Sequence, residues 1–136
     1  MPRLLVVDDD PLVLKTATII LERNGFEVVS AEGGETGLHA LDGPPFDAML
    51  VDIFMPGMRG FESIRIFHER SPRIPLIAMS GYAFAASLPQ PAPDFLGMAL
   101  GLGASACLRK PFSPALLLAT VKECLAKPGR PEMASG

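Results

Sequence analysis

An α/β fold, with a five-stranded parallel sheet covered by helices on both faces, is what this sequence predicts, and three observations carry the prediction. Short aliphatic runs alternate along the chain with segments of helical periodicity. The runs are continuously apolar, the pattern of strands buried on both faces. Parallel strands need crossover connections, which the helical segments supply. The chain has 136 residues, 49% of them hydrophobic, enough for one compact domain with a real core but not for two comfortable domains.

The elements follow in order. Residues 4–7, "LLVV", form a strand that runs into "DDDP". Asp10 then caps a helix with Pro11 at its first position, and Val13, Ala17, Ile20 and Leu21 recur on one face until Asn24-Gly25 stops it. Residues 26–30 make a weaker strand, expected at a sheet edge. A short helix at 35–41 ends at "DGPP", and 48–53 is an apolar strand interrupted only by Asp52. After the turn "MPGMRG", a helix over 61–69 buries Ile64 and Phe67, and "SPRIP" leads to a strand at 76–79. Three prolines, Pro89, Pro91 and Pro93, forbid a continuous helix and predict an extended loop before a helix near 94–102. A fifth strand falls at 106–108. Ser113-Pro114 then starts a last helix with Leu117, Val121 and Leu125 inward.

Composition excludes several function classes. A net charge of −3 gives no general attraction to nucleic acid. Cys107 and Cys124 do not make a disulfide framework and are expected as small buried apolar residues in a reducing compartment. "MPRLLVVDDD" lacks the pattern of a signal peptide, and the uncharged stretch 95–108 is short of the roughly 20 residues of a membrane helix. The expectation is a cytoplasmic protein.

In a parallel sheet, ligands bind beyond the carboxyl ends of the strands where strand order reverses. Asp8 and Asp9 end the first strand, Asp52 the third and Ser80 the fourth, while the fifth runs through Arg109 to Lys110. Three carboxylates, a hydroxyl and an ammonium on one edge suit a divalent metal and a phosphoryl group. With oxygen ligands and no clustered His or Cys, the metal expected is Mg²⁺ or Mn²⁺.

"VVDD", "VDIFMPGMRGFE", "MSG" and "RKPF" together resemble the receiver domain of two-component response regulators, such as the single-domain chemotaxis regulator, over roughly residues 3–126. The resemblance implies a flavodoxin-like, doubly wound sheet of order 2-1-3-4-5. It implies that Asp52 is the phosphoacceptor, that Asp8 and Asp9 are the acidic pair, and that Asp9, Asp52 and the Phe54 backbone carbonyl ligate the metal. Lys110 pairs with the phosphoryl group, Ser80 hydrogen-bonds it and Pro111 follows a cis bond. The implied donor is a histidine kinase or phosphotransfer protein. The implied output face is that of the fourth and fifth helices, toward a downstream protein or a second copy. The domain is expected over residues 1–127, with 128–136 a frayed tail or linker stub. It is not expected to be a turnover enzyme.

Two other readings compete. Haloacid-dehalogenase-type phosphatases share the order of "VVDDDP", Ser80 and Lys110, with Asp8 as nucleophile, but need an acidic pair on a later strand. Only Glu123 and Glu132 follow Lys110. A receiver-like interaction module without phosphorylation is the other, and the complete acceptor set weighs against it. His39 and His68 are expected in surface or packing roles. Departures from the receiver pattern are Cys107 at a position commonly aromatic, Arg59 in the turn after the acceptor, and the long "YAFAASLPQPAPDF" insertion. Gly81 is expected to leave room for the phosphoryl group. Phe54 and Tyr82 are expected at the pocket mouth, slowing hydrolysis of the acyl phosphate.

Overall fold

The computed structural model describes residues 1–53, 55, 57–58, 62–81 and 95–126. Phe54, Pro56, Arg59, Tyr82, the three prolines of the insertion and the expected tail lie outside the described residues.

The chain alternates strand and helix: β1 (Arg3–Val7), α1 (Pro11–Glu22), β2 (Glu27–Ala31), α2 (Gly34–Ala40), β3 (Ala48–Asp52), α3 (Glu62–Arg70), β4 (Leu76–Ser80), α4 (Phe95–Gly101), β5 (Ala106–Arg109) and α5 (Pro114–Ala126). All strand pairs are parallel and the sheet order is β2-β1-β3-β4-β5. The fold class is as the sequence predicts. β2 is an edge strand, as its weaker apolar run implies. Among the described residues, no helix is long and apolar enough to cross a membrane.

Two cores explain the continuous strand hydrophobicity. Successive side chains point to opposite faces. Leu4, Val6, Leu50, Ile77 and Met79 therefore meet Leu14, Ala17 and Leu21 of α1 and Leu117, Val121 and Cys124 of α5. Leu5, Val7, Met49, Val51, Leu76 and Ala78 meet Ile64 and Phe67 of α3 and Ala99 of α4. β1, β3 and β4 need apolar residues at nearly every position because they serve both layers.

Two helix stripes are one position away from the sequence expectation. On α1, Leu14 is buried with Ala17 and Leu21, while Val13 and Ile20 are only partly covered. On α5, Cys124 rather than Leu125 completes the inward row with Leu117 and Val121. One residue turns a helix by about 100°, so neighbouring apolar residues compete for the same face. The caps are as expected: the Asp10 side chain accepts from the Leu12 N–H at 2.9 Å and the Ser113 hydroxyl accepts from the Leu116 N–H at 3.0 Å. Cys124 is buried, but Cys107 is only half-buried because β5 is an edge strand; neither is in a disulfide.

The other end of the sheet holds a packing constraint. Gly103 has φ +117, and a Cβ built there would meet the His68 ring at 2.4 Å. His68 thus packs, as expected, while its Nδ1 is buried without a hydrogen-bond partner among the described residues. Gly103→Ala should lower the unfolding free energy by about 2–3 kcal/mol, from left-handed strain plus ring overlap. In a His68→Ala background the same substitution should cost only about 1–2 kcal/mol. Urea denaturation of the four proteins checks both values.

Candidate functional site

The strand order reverses between β1 and β3, since α1 carries the chain to one side of β1 and α2 carries it back to the other. Asp8 and Asp9 follow β1 directly, and Asp52 is the last residue of β3. The two apolar strands thus deliver carboxylates to one crevice. Oxygens of Asp8, Asp9 and Asp52 all lie within 4.8 Å of one another. Asp8 is fully buried, Asp52 is 3% exposed, and Asp9 reaches solvent.

Lys110 enters from the far side. It follows β5, and its Nζ donates to Asp8 Oδ2 at 2.7 Å and lies 3.4 Å from Asp52 Oδ1. The other Asp8 oxygen, Oδ1, accepts from the Asp10 N–H at 2.9 Å. The Lys110–Pro111 peptide is cis, as expected. Ser80, 4% exposed, closes β4 opposite Arg109, and its carbonyl accepts from the Lys110 N–H at 2.7 Å. All five described candidate residues therefore gather at one sheet edge. Phe54, the sixth, lies outside the described residues. Gly81 adjoins Lys110: a Cβ there would stand 3.8 Å from Lys110 Cε, an ordinary contact. Packing alone does not demand glycine at that position.

One residue here escaped the sequence reading. Ser63, in the first turn of α3, has no solvent exposure and donates its hydroxyl to the Asp52 carbonyl at 3.0 Å. Its spacing to Phe67, four residues on, was the available signal, because it places Ser63 on the buried stripe.

The donor set fits a hard cation: clustered carboxylate oxygens, no nitrogen or sulfur, and more negative charge than Lys110 neutralises. Both Asp8 oxygens accept a hydrogen bond, one from the Asp10 N–H and one from Lys110 Nζ. Glu123, which a phosphatase would need on a strand, is exposed on α5.

Burial raises the Asp8 pKa above its ordinary 3.8, and the adjacent Asp9 charge adds to this, against the hydrogen bond and charge of Lys110 and the hydrogen bond from the Asp10 backbone. For Lys110, burial alone would lower the pKa. The hydrogen bond to Asp8 and the charges of Asp52 and Asp8 outweigh it, and the pKa lies above 10.5. Folded Asp8 binds protons more tightly than unfolded, so stability falls as pH rises from 3.8 through its raised value. The Lys110 contribution is present in full below pH 10.5 and is lost as pH rises through its raised value. In metal-free buffer at neutral pH, Asp8→Asn should therefore raise Tm. It should also flatten the stability decline above pH 3.8. Thermal melts by circular dichroism between pH 4 and 7 check both.

Comparison with known proteins agrees with this geometry. The family model described as "Response regulator receiver domain" matches residues 4–122. The sensor protein GacS of Pseudomonas syringae pv. syringae is 40% identical over 89 residues, covering 62% of this chain and 10% of that protein. The DNA-binding response regulator MtrA of Mycolicibacterium smegmatis is 32% identical over 127 residues, covering 92% of this chain and 51% of that protein. The chain thus spans about half or less of the curated relatives it matches. Among solved structures, a CheY-like response regulator receiver domain protein from Methanospirillum hungatei superposes with a TM-score of 0.79 at 34% identity, covering 92% of this chain and 94% of that one. The receiver domain of Francisella response regulator 1452 gives 0.76 at 25% identity, with 92% and 97% covered. On the sheet order, the strand-end residues and these matches, the chain belongs to the response regulator receiver domain family.

Proposed function

We propose that this domain accepts a phosphoryl group on Asp52, with Mg²⁺ or Mn²⁺, from a partner histidine kinase or histidine phosphotransfer protein. The observation that carries the proposal is the position of Lys110 Nζ, 2.7 Å from Asp8 and 3.4 Å from Asp52, where the carboxylates of Asp8, Asp9 and Asp52 converge. Asp52 is the acceptor because it ends the central strand with its carboxylate beside both the acidic pair and the lysine. An Asp52 oxygen bonds to phosphorus as the phosphorus–nitrogen bond of the donor histidine breaks, and the imidazole leaves with the electron pair.

Asp8, Asp9, Asp52 and the Phe54 backbone carbonyl would hold the metal. When bound, the metal supplies charge neutralisation for an anionic carboxylate meeting an anionic phosphoryl group. Lys110 supplies a second positive charge. Ser80 stands at the end of β4, where its hydroxyl can bond the transferred group. The domain acts as a relay rather than a turnover enzyme. Its unit is residues 1–127 with 128–136 a tail or linker, it works in the cytoplasm, and its output passes through the α4 to α5 face to a downstream protein or a second copy. No direct nucleic-acid contact is assigned to this chain.

Incubation with acetyl phosphate and Mg²⁺ should label the protein, and Asp52→Asn or chelation of the metal should abolish labelling. Lys110→Ala should slow labelling roughly a hundredfold, the scale for loss of one preorganised charge partner. Phosphate-affinity gels measure all of these. Steady hydrolysis of a phosphate ester that depends on Asp8 would instead establish a phosphatase.

A further inference from the structure

The peptide unit that follows Asp52 is held at both ends. Its N–H, on Ile53, donates to the Met79 carbonyl of β4 at 2.9 Å. Its carbonyl, on Asp52, accepts from the Ser63 hydroxyl of α3 at 3.0 Å. β3 ends at Asp52, so this peptide is the last one tied to the sheet before the chain turns away. Rotation about the Cα–C bond of Asp52 would break both bonds.

Ser63 is not a typical occupant of its position. It has no solvent exposure and shares the buried side of α3 with Ile64 and Phe67, where an apolar residue would pack without a polar group to satisfy. A buried hydroxyl is tolerated when it is hydrogen-bonded. The partner here is the main chain of the residue that carries the chemistry.

We propose that Ser63 is a positioning residue for phosphoryl transfer: by bonding the Asp52 carbonyl, its hydroxyl fixes the backbone from which the Asp52 carboxylate is aimed at Asp8, Asp9 and Lys110. The inference rests on Asp52 being the acceptor. Ser63 touches none of the reacting atoms and acts only through the Asp52 backbone. Its removal takes away one of the two bonds that tie this peptide to α3 and β4. The carboxylate then samples directions away from the attack line, and transfer is sensitive to displacements of this size.

The test measures initial labelling rates with acetyl phosphate at saturating Mg²⁺, at a temperature below every Tm, for wild type, Asp52→Asn, Ser63→Ala, Ser63→Thr and Val121→Ala. Ser63→Ala should label roughly tenfold more slowly than wild type. Ser63→Thr keeps a hydroxyl and should recover most of that rate. If threonine does not fold at this packed position, Ser63→Cys replaces it, and its weaker donor should give an intermediate rate. Val121→Ala opens a cavity in the opposite core, lowers Tm and should label at the wild-type rate, which separates positioning from general destabilisation. A wild-type rate in Ser63→Ala overturns the inference. So does equal slowing by alanine and the hydroxyl- or thiol-bearing variant, or slowing of Val121→Ala in step with its Tm. If wild type takes no label, the acceptor assignment falls and this inference with it. Label that requires Asp52 but is indifferent to Ser63 overturns this inference alone.

Discussion

One ammonium facing three carboxylates is the interaction on which the rest of the structure turns. Lys110 lies within 3.4 Å of both Asp8 and Asp52, and Asp9 is close enough for its charge to help raise the Asp8 pKa. Three acids against one base leave the crevice negative in a setting that water screens poorly. Asp8 has no solvent exposure, so its charge depends on Lys110 and the Asp10 N–H. An arrangement like this opposes folding locally and attracts cations. Its persistence means that the surrounding frame holds the acids together against their repulsion.

The frame does so by making the acids the first polar residues beyond buried strands. Leu4 to Val7 of β1 and Ala48 to Val51 of β3 are fully enclosed between two helical layers. Sliding either strand to separate the carboxylates would move its whole run of side chains into the wrong layer, because the pleat alternates faces at every residue. Further support comes from close approach in the layer under β1. A Cβ on Gly37 would meet Val7 at 2.8 Å and Phe67 at 2.9 Å, so α2 lies tightly against the strand that ends at Asp8. Rigid packing at the base allows electrostatic tension at the tip.

The sequence was legible wherever a polar residue ended an apolar run. Asp8, Asp9, Asp52, Ser80 and Lys110 each stand at a strand end, and the parallel topology brings such ends together without knowledge of side-chain positions. Helix phase was harder to read. Val13 and Leu14, or Cys124 and Leu125, are adjacent apolar residues whose faces differ by about 100°, and only the packed structure decides between them. Ser63 was harder still, because serine on a charged helix reads as surface and its partner is a backbone atom eleven residues away. The Gly103–His68 contact joins two segments far apart in sequence, and no local pattern encodes it.

Ser80 and Lys110 are joined by more than proximity. The Ser80 carbonyl accepts from the Lys110 N–H at 2.7 Å, and Ser80 pairs with Arg109 in register. The hydroxyl that would follow a phosphoryl group and the ammonium that would balance it are thus mounted on one main-chain bond between β4 and β5. Cys107, two residues earlier on β5, sits opposite Ala78. Two small side chains face each other where a large ring could otherwise swing between inner and outer positions. The Ser80–Lys110 bond couples the end of β4 to β5 through the main chain, beside a short, half-buried side chain at 107.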